Sequence, residues 1–289
     1  MTEKIFASET ELNALVGMSN KYGADAEFVL AGGGNTSFKT ADVLYVKGSG
    51  TALATITADG FVKLSRAELE KIWQRTFSDV EAEREAQVLE AMMDSRLKGE
   101  EKKRPSVETL LHALFPQRYV LHLHPNKVNG LTCAKNGEKE AKRLFPDAAW
   151  IEECRPGYIL AMKVREKINE GADTVLLQNH GVFFASDDPE KLGHMLNSML
   201  EKLDEAIEAG YDASLDVPPS LSRPFTPDHI VYCGLGPNLP DTEVARQSWK
   251  SAETIAHYTA SFGGQKPMSD EMIEFISHWE AENYRRKQA

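Results

Sequence analysis

The sequence predicts an α/β protein in which a sheet is flanked by helices. Helical segments and short apolar runs are interleaved along the chain, without the strict β–α–β alternation of a doubly wound nucleotide fold. Glycine-rich corners, not helices, join the first apolar runs. The 289 residues are 42% hydrophobic and 27% charged, the balance of an ordinary globular chain, with length for one large domain or two modest ones. Chains of about 300 residues bury roughly 75% of their unfolded surface. Whole-chain disorder and a collagen-like fibre are excluded.

Ser8 and Glu11 form an S-x-x-E capping pattern ahead of Leu12, Leu15 and Val16, which predicts a helix from about residue 9 to Tyr22, stopped by Gly23. Phe28-Val29-Leu30 reads as a strand, residues 32–39 as a glycine loop, Val43–Lys47 as a second strand, and Gly48–Thr51 as a turn into a third. Residues 65–97 read as one or two helices, with Ser65/Glu68 and Ser78/Glu81 as further capping pairs. Lys98–Arg104 is a charged, exposed loop, and Pro105-Ser106 open a short helix from Val107 to Phe115. Tyr119–His124 alternates as a strand, with Tyr119, Leu121 and Leu123 on one face and Val120, His122 and His124 on the other. Helices are predicted near 126–136, between Asn126 and Gly137, and near 157–170. Asp173–Gln178 is a strand that resumes at Val182–Ala185 after Asn179-His180-Gly181, and 189–209 is a long amphipathic helix. A proline-rich linker over 211–227 leads to a short strand, His229–Cys233, and to helices near 241–261 and 269–287.

Lys and Arg total 33 against 44 Asp and Glu, a formal charge of −11. That deficit of cations argues against nucleic acid and against an anionic membrane surface as partners. No run approaches 18 apolar residues and the start lacks a secretory h-region, so no span and no signal are read. Three cysteines without tight spacing offer no disulfide framework and no C-x-x-C zinc site. The expectation is a cytoplasmic enzyme or binding protein.

The strongest chemical signal is His122-Leu123-His124. On a strand the two imidazoles share a face about 6.6 Å apart along the chain, and two neutral imidazoles can bind one metal; they also suit a merely solvated face. His180, at a break between two apolar runs beside Gly181, is placed either to project into a cavity or to bond backbone in a turn. Together His122, His124 and His180 could supply three ligands and leave one position open. The donor set suits zinc but does not exclude manganese, iron or cobalt. Glu108, at the start of the short helix, could be a fourth ligand, an acid/base or a helix-dipole partner. Gly34-Asn35-Thr36-Ser37 and Gly48-Ser49-Gly50-Thr51 offer N–H groups and hydroxyls to an anion, and Ser106 adds another donor; each loop by itself also reads as a plain tight turn. Neither a P-loop nor a G-x-G-x-x-G fingerprint is present.

Taken together, these residues resemble the class II aldolase/adducin family of metal-dependent sugar-phosphate aldolases and epimerases. The matching segments, in order, are GGGNTSFK, YVKGSGT, PSVETLLHA, VLHLHP and LLQNHGVFF. The GGGNTS and VKGSGT wording, RPSVETLLHALFP and the TPDH stretch near residue 226 are most similar to the rhamnulose-1-phosphate aldolase-like branch. That branch includes domains fused to a dehydrogenase, for which this chain has no room.

The resemblance implies an α/β/α sandwich around a mainly antiparallel central sheet over residues 1–210, with a small C-terminal extension over 211–289. It implies zinc or another divalent metal on His122, His124 and His180, Glu108 as acid/base, and Gly34, Asn35, Ser49, Gly50 and Ser106 around the substrate phosphate. It implies a homotetramer. The activity it implies is cleavage of a ketose 1-phosphate to dihydroxyacetone phosphate and an aldehyde. An epimerase, dehydratase or decarboxylase of a phosphorylated sugar or sugar acid is the alternative, and a non-catalytic adducin-like module a third. One departure stands out. Family aldolases often carry Ser-Ser before the glutamate, whereas Val107 follows Ser106 here and one hydroxyl donor is lost; Lys47 is a candidate replacement. The family's proton-donating tyrosine has three unranked candidates, Tyr232, Tyr258 and Tyr284.

Overall fold

The computed structural model describes residues 4–286. In chain order they form α1 (Glu9–Gly23), β1 (Asn35–Lys39), β2 (Val43–Lys47), two single 3₁₀ turns, β3 (Phe61–Ser65), α2 (Arg66–Ile72), α3 (Glu81–Asp94), α4 (Thr109–Leu114), β4 (Tyr119–Leu123), α5 (Asn126–Thr132), α6 (Gly137–Leu144), β5 (Ala149–Ile151), α7 (Tyr158–Asn169), β6 (Thr174–Leu177), β7 (Gly181–Ser186) and α8 (Pro189–Gly210). The extension adds α9 (Pro227–Cys233), α10 (Glu243–Thr259), a 3₁₀ turn, α11 (Asp270–His278) and α12 (Glu280–Arg286).

The strands make one sheet in the order β3-β2-β1-β4-β7-β6-β5. Every pairing is antiparallel except β5 with β6. The strand alternation sorts the core into two layers. On one face Phe38, Tyr45, Tyr119, Leu121, Leu123, Val182 and Phe184 pack against Leu15 and Tyr22 of α1 and Leu192, Leu196 and Leu203 of α8. On the other, Leu44, Val46, Val62, Val120, Val175 and Phe183 pack against residues of α2, α3, α4 and α7. The α/β/α sandwich around a mainly antiparallel sheet is therefore the observed fold.

Local expectations meet the structure unevenly. The Ser8/Glu11 capping box forms with both halves present. At Ser65 only the hydroxyl half forms, accepting from Glu68 N–H, because the Ser65 N–H bonds Ser95 O instead. The Ser78/Glu81 pair does not cap; α3 starts at Glu81 behind Val80. Glu108 lies just outside α4 as its N-cap residue, not within its first turn. Gly137 opens α6 where a stop was expected. Within the charged loop Glu100 is buried, paired with Lys63 and Lys103.

Three corrections concern strands. Phe28–Leu30 is not a strand: Phe28 O and Glu27 O accept from His124 and Asn126 N–H past the end of β4, so the segment caps the sheet instead of joining its ladder. Residues 35–39, read as part of a glycine loop, are the buried strand β1. His229–Cys233, read as a strand, belongs to helix α9. Pro227 takes a first-turn position, and the β-branched run is buried all round, Ile230 against Met268, Met272 and Ile276, and Val231 and Tyr232 against Leu30. The extension thus holds four helices among the described residues instead of a short strand and two helices. No helix among the described residues is long and apolar enough to cross a membrane.

β1 escaped recognition because its inward face is polar. Asn35, Ser37 and Lys39 alternate toward α4. The Asn35 amide bonds Glu108, Ser37 Oγ lies 2.8 Å from His112 Nδ1, and Lys39 Nζ donates to His112 O at 2.8 Å. One strand face therefore grips α4 at both ends. Burial pushes Lys39 down to about 7.

Burial also pushes His229 down to about 4 and His112 well below its ordinary range, and both rings stay neutral in the fold. In the unfolded chain they regain pKa values near 6.5, so the unfolded state binds more protons below that pH. Stability present above about pH 6.5 is then lost as pH falls toward 4, each ring contributing a limiting slope of about 1.4 kcal/mol per pH unit. Urea midpoints of the metal-free protein are expected to fall steadily between pH 7 and 5. A flat profile would contradict the neutral, buried assignment.

Candidate metal centre

β4 and the β6–β7 hairpin place the three histidines. His122 sits on β4 between β1 and β7, opposite Asn35 and Phe183. His124 follows just past the strand end on the same face. His180 sits in the hairpin turn after Asn179, whose φ of 57° is left-handed. Asn179 holds that backbone by donating its amide to Phe225 O at 3.0 Å and Lys266 O at 2.8 Å. Gly181 is required next to it: a Cβ there would lie 2.3 Å from Leu123 O and 2.9 Å from His124 Cδ2.

One nitrogen from each ring falls within 4.8 Å of the others. His122 is fully buried and stacks on Phe183, centroids 3.9 Å apart with an interplanar angle of 10°. Its Nδ1 lies 3.0 Å from Val182 O. A carbonyl oxygen only accepts, so the proton sits on Nδ1 and Nε2 carries a lone pair. His124 Nδ1 lies 2.6 Å from the Asp228 carboxylate, which directs its Nε2 the same way. The two Nε2 atoms then face each other at 3.0 Å. Two lone pairs at that distance repel, and a shared cation removes the repulsion. Burial, with Glu108 opposing and His122 and His124 adding to it, moves His180 down to about 3, so it is a neutral donor. The residues present fit a divalent metal on His122, His124 and His180.

Glu108 stands against this cluster. Its Oε1 is 3.3 Å from His122 Nε2 and 3.4 Å from His180 Nε2, and its Oε2 accepts from the Asn35 amide. Burial pushes its carboxyl up, but positive charge on the imidazoles facing it, His122 foremost, outweighs that and pulls it well below the usual carboxylate range; a cation on the same rings would act in the same sense. The Ser106 hydroxyl accepts from Glu108 N–H at 3.2 Å and shapes the turn that presents the carboxylate. Asn35 Oδ1 is buried without a hydrogen-bond partner, an acceptor open to a ligand.

The remaining candidates gather at the same end of the sheet. Ser37 faces Val46 across β1–β2, and continuing that register sets Asn35 opposite Gly48. Ser49 N–H donates to Arg104 O and Ser106 N–H to Lys47 O, which brings residues 48–50 and 104–106 side by side. Not every donor is open: the N–H groups of Gly48, Ser49 and Thr51 are used by backbone bonds. Thr36 and Ser37 face Ser19 and His112 and are not at an anion site. The Lys47 ammonium holds Gly32 O at 2.6 Å and Gly34 O at 2.9 Å, bracing the glycine loop. Of the three tyrosines, Tyr232 lies at that loop, its hydroxyl accepting from Gly32 N–H at 3.2 Å. Tyr284 stacks on Arg104, and Tyr258 packs on Gly130.

The model of the Class II Aldolase and Adducin N-terminal domain matches residues 14–203. The chain belongs to the class II aldolase and adducin family. A curated relative, the uncharacterized oxidoreductase YuxG of Bacillus subtilis (strain 168), is 32% identical over 205 residues, 67% of this chain. The match spans only 29% of that relative's length. The N-terminal class II aldolase domain of a conserved Thermoplasma acidophilum protein superposes with a TM-score of 0.60 at 26% identity, covering 72% of this chain and 97% of that one. Klebsiella pneumoniae YgbL shares the fold, with a TM-score of 0.52 at 15% identity over 71% of this chain and 92% of its own. Class II aldolases use a divalent metal, and the three histidines stand where this chain could hold one.

Sequence reasoning missed Asp228 as a site residue. It touches His124 although 104 residues separate them. The only local signal was an acid beside a histidine in Thr226-Pro227-Asp228-His229.

Proposed function

We propose that this family member is a metal-dependent carbon–carbon lyase that cleaves a ketose 1-phosphate of the rhamnulose-1-phosphate type to dihydroxyacetone phosphate and an aldehyde. The observation that carries this reading is the Glu108 carboxylate, 11% exposed and 3.3 and 3.4 Å from two imidazoles of a three-histidine cluster. His122, His124 and His180 would hold zinc or another divalent ion, which would supply Lewis acidity at the site. Glu108 carries the proton: as a carboxylate it takes the C4 hydroxyl proton while the C3–C4 bond breaks and C4 becomes the aldehyde carbon, and it then gives that proton to C3 of the departing three-carbon phosphate. The Asn35 amide fixes the carboxylate for that transfer. Gly34, Asn35, Ser49, Gly50 and Ser106 receive the phosphate and convert binding energy into positioning. With Val107 in place of a second serine, this pocket offers fewer hydroxyl donors. Residues 1–210 form the catalytic unit and 211–289 its extension, and the working form is a cytoplasmic homotetramer.

The test is a panel of ketose 1-phosphates given to the zinc- or cobalt-loaded protein, assayed for dihydroxyacetone phosphate. Release from at least one member, at an ordinary enzymatic rate of about 1–10³ per second, is expected. Turnover that yields an epimer, a dehydrated product or carbon dioxide instead would overturn the aldolase assignment.

A further inference from the structure

We infer that helix α9 is a working part of the metal centre, with Asp228 as the positioning residue that holds His124 in its ligating form. This rests on the reading of His122, His124 and His180 as a metal site. It adds a dependence on a segment that lies beyond residues 14–203, where the family model ends.

The two inner histidines are held differently. His122 gives its Nδ1 proton to a neutral carbonyl, Val182 O, at 3.0 Å. His124 gives its own to a carboxylate at 2.6 Å, with both side chains buried, 7% and 6% exposed. A charge-assisted bond of this kind fixes the tautomer and ring orientation and raises the basicity of the opposite nitrogen, the one turned toward the cluster.

The surroundings are shaped to this pair. Gly33 passes directly over it: a Cβ there would lie 3.3 Å from Asp228 Oδ2, 3.5 Å from His124 Nδ1 and 2.9 Å from Leu30 O. α9 is seated independently of the bond it delivers, by Ile230 among Met268, Met272 and Ile276 and by Val231 and Tyr232 against Leu30. Just before it, Phe225 O accepts from Asn179, the residue preceding His180. The extension therefore steadies two of the three imidazoles, one through Asp228 and one through the hairpin turn.

The test uses the full-length chain and its Asp228→Asn and Tyr232→Phe variants. Zinc affinity is read by competition with a chromogenic chelator, and the cobalt-substituted proteins by their visible absorption. Asp228→Asn is expected to weaken zinc binding about 10–100-fold and to shift the cobalt bands. Its metal-free melting temperature should stay close to wild type, because α9 keeps its apolar seat. Tyr232→Phe, which removes from the same helix the hydroxyl that accepts from Gly32 N–H, should retain wild-type affinity. Unchanged zinc affinity and cobalt bands in Asp228→Asn would overturn the inference, as would an equal loss in Tyr232→Phe. A wild-type chain that binds no divalent ion would instead overturn the metal reading beneath it. If Asp228→Asn does not fold, ¹⁵N imidazole spectra of the zinc-loaded wild type decide the matter. A proton on His124 Nδ1 is expected there, and metal on that nitrogen would refute the role.

Discussion

Replacing Glu108 by glutamine is expected to leave zinc content unchanged and to lower turnover by about 10²–10⁴, the usual range for a positioned acid or base. Glutamine has nearly the same shape, and its carbonyl oxygen can still accept from the Asn35 amide as the Glu108 carboxylate does. It also leaves the histidines as the ligand set. What it removes is the carboxylate that can take up a proton during the reaction and pass it on. The loss should appear in kcat, with KM little changed, because the proton transfer belongs to the transition state and not to ground-state binding. Rates within a few-fold of wild type would remove Glu108 from the mechanism. A loss of zinc in parallel with activity would make it a ligand instead of a proton carrier.

His122→Ala is expected to abolish metal binding and, with it, activity. Wild type should carry about one ion per chain by elemental analysis, since a single set of three facing imidazoles is found among the described residues. Loss of a direct ligand should exceed the 10–100-fold cost of losing an outer-shell partner, so the variant should retain no ion through gel filtration. A readout independent of turnover is available. Zinc at 100 times its dissociation constant should stabilise wild type by about 2.7 kcal/mol, visible as a higher melting temperature, and should not stabilise the variant. The metal-free variant should itself be less stable. His122 is fully buried, stacks on Phe183 and satisfies Val182 O, and alanine leaves a void and an unpaired carbonyl. A variant that binds zinc as wild type does would exclude His122 as a ligand.

The polar pattern of β1 marks the boundary between what could be read and what could not. Period-two alternation identifies a strand only when one face is apolar. Asn35, Ser37 and Lys39 are buried yet polar, because their partners, Glu108 and His112, arrive from the N-cap and body of α4 some 70 residues later in the chain. α9 failed in the opposite sense. Its run from His229 to Cys233 has strand-forming residues, and burial on every side overrode that propensity. Where local physics was sufficient, the reading held, as in the Ser8/Glu11 capping box, the amphipathic α8 and the His122/His124 alternation on β4.

By itself, then, the sequence determined the layered α/β fold class and, through its family resemblance, the mainly antiparallel sheet, and it singled out the three histidines and Glu108 as candidates for the chemistry. The fold class and the candidate residues follow from periodicities of two and 3.6 and from short motifs; the sense of the sheet follows only from the resemblance. Tertiary structure alone decided that Glu108 faces two of those imidazoles at 3.3–3.4 Å, that Asn35 holds it, and that Asp228 orients His124 from helix α9. Such contacts join residues 73 and 104 positions apart. No local propensity encodes them, because they exist only once the apolar faces of β4 and α9 have been buried and their polar groups must find partners in the space that remains.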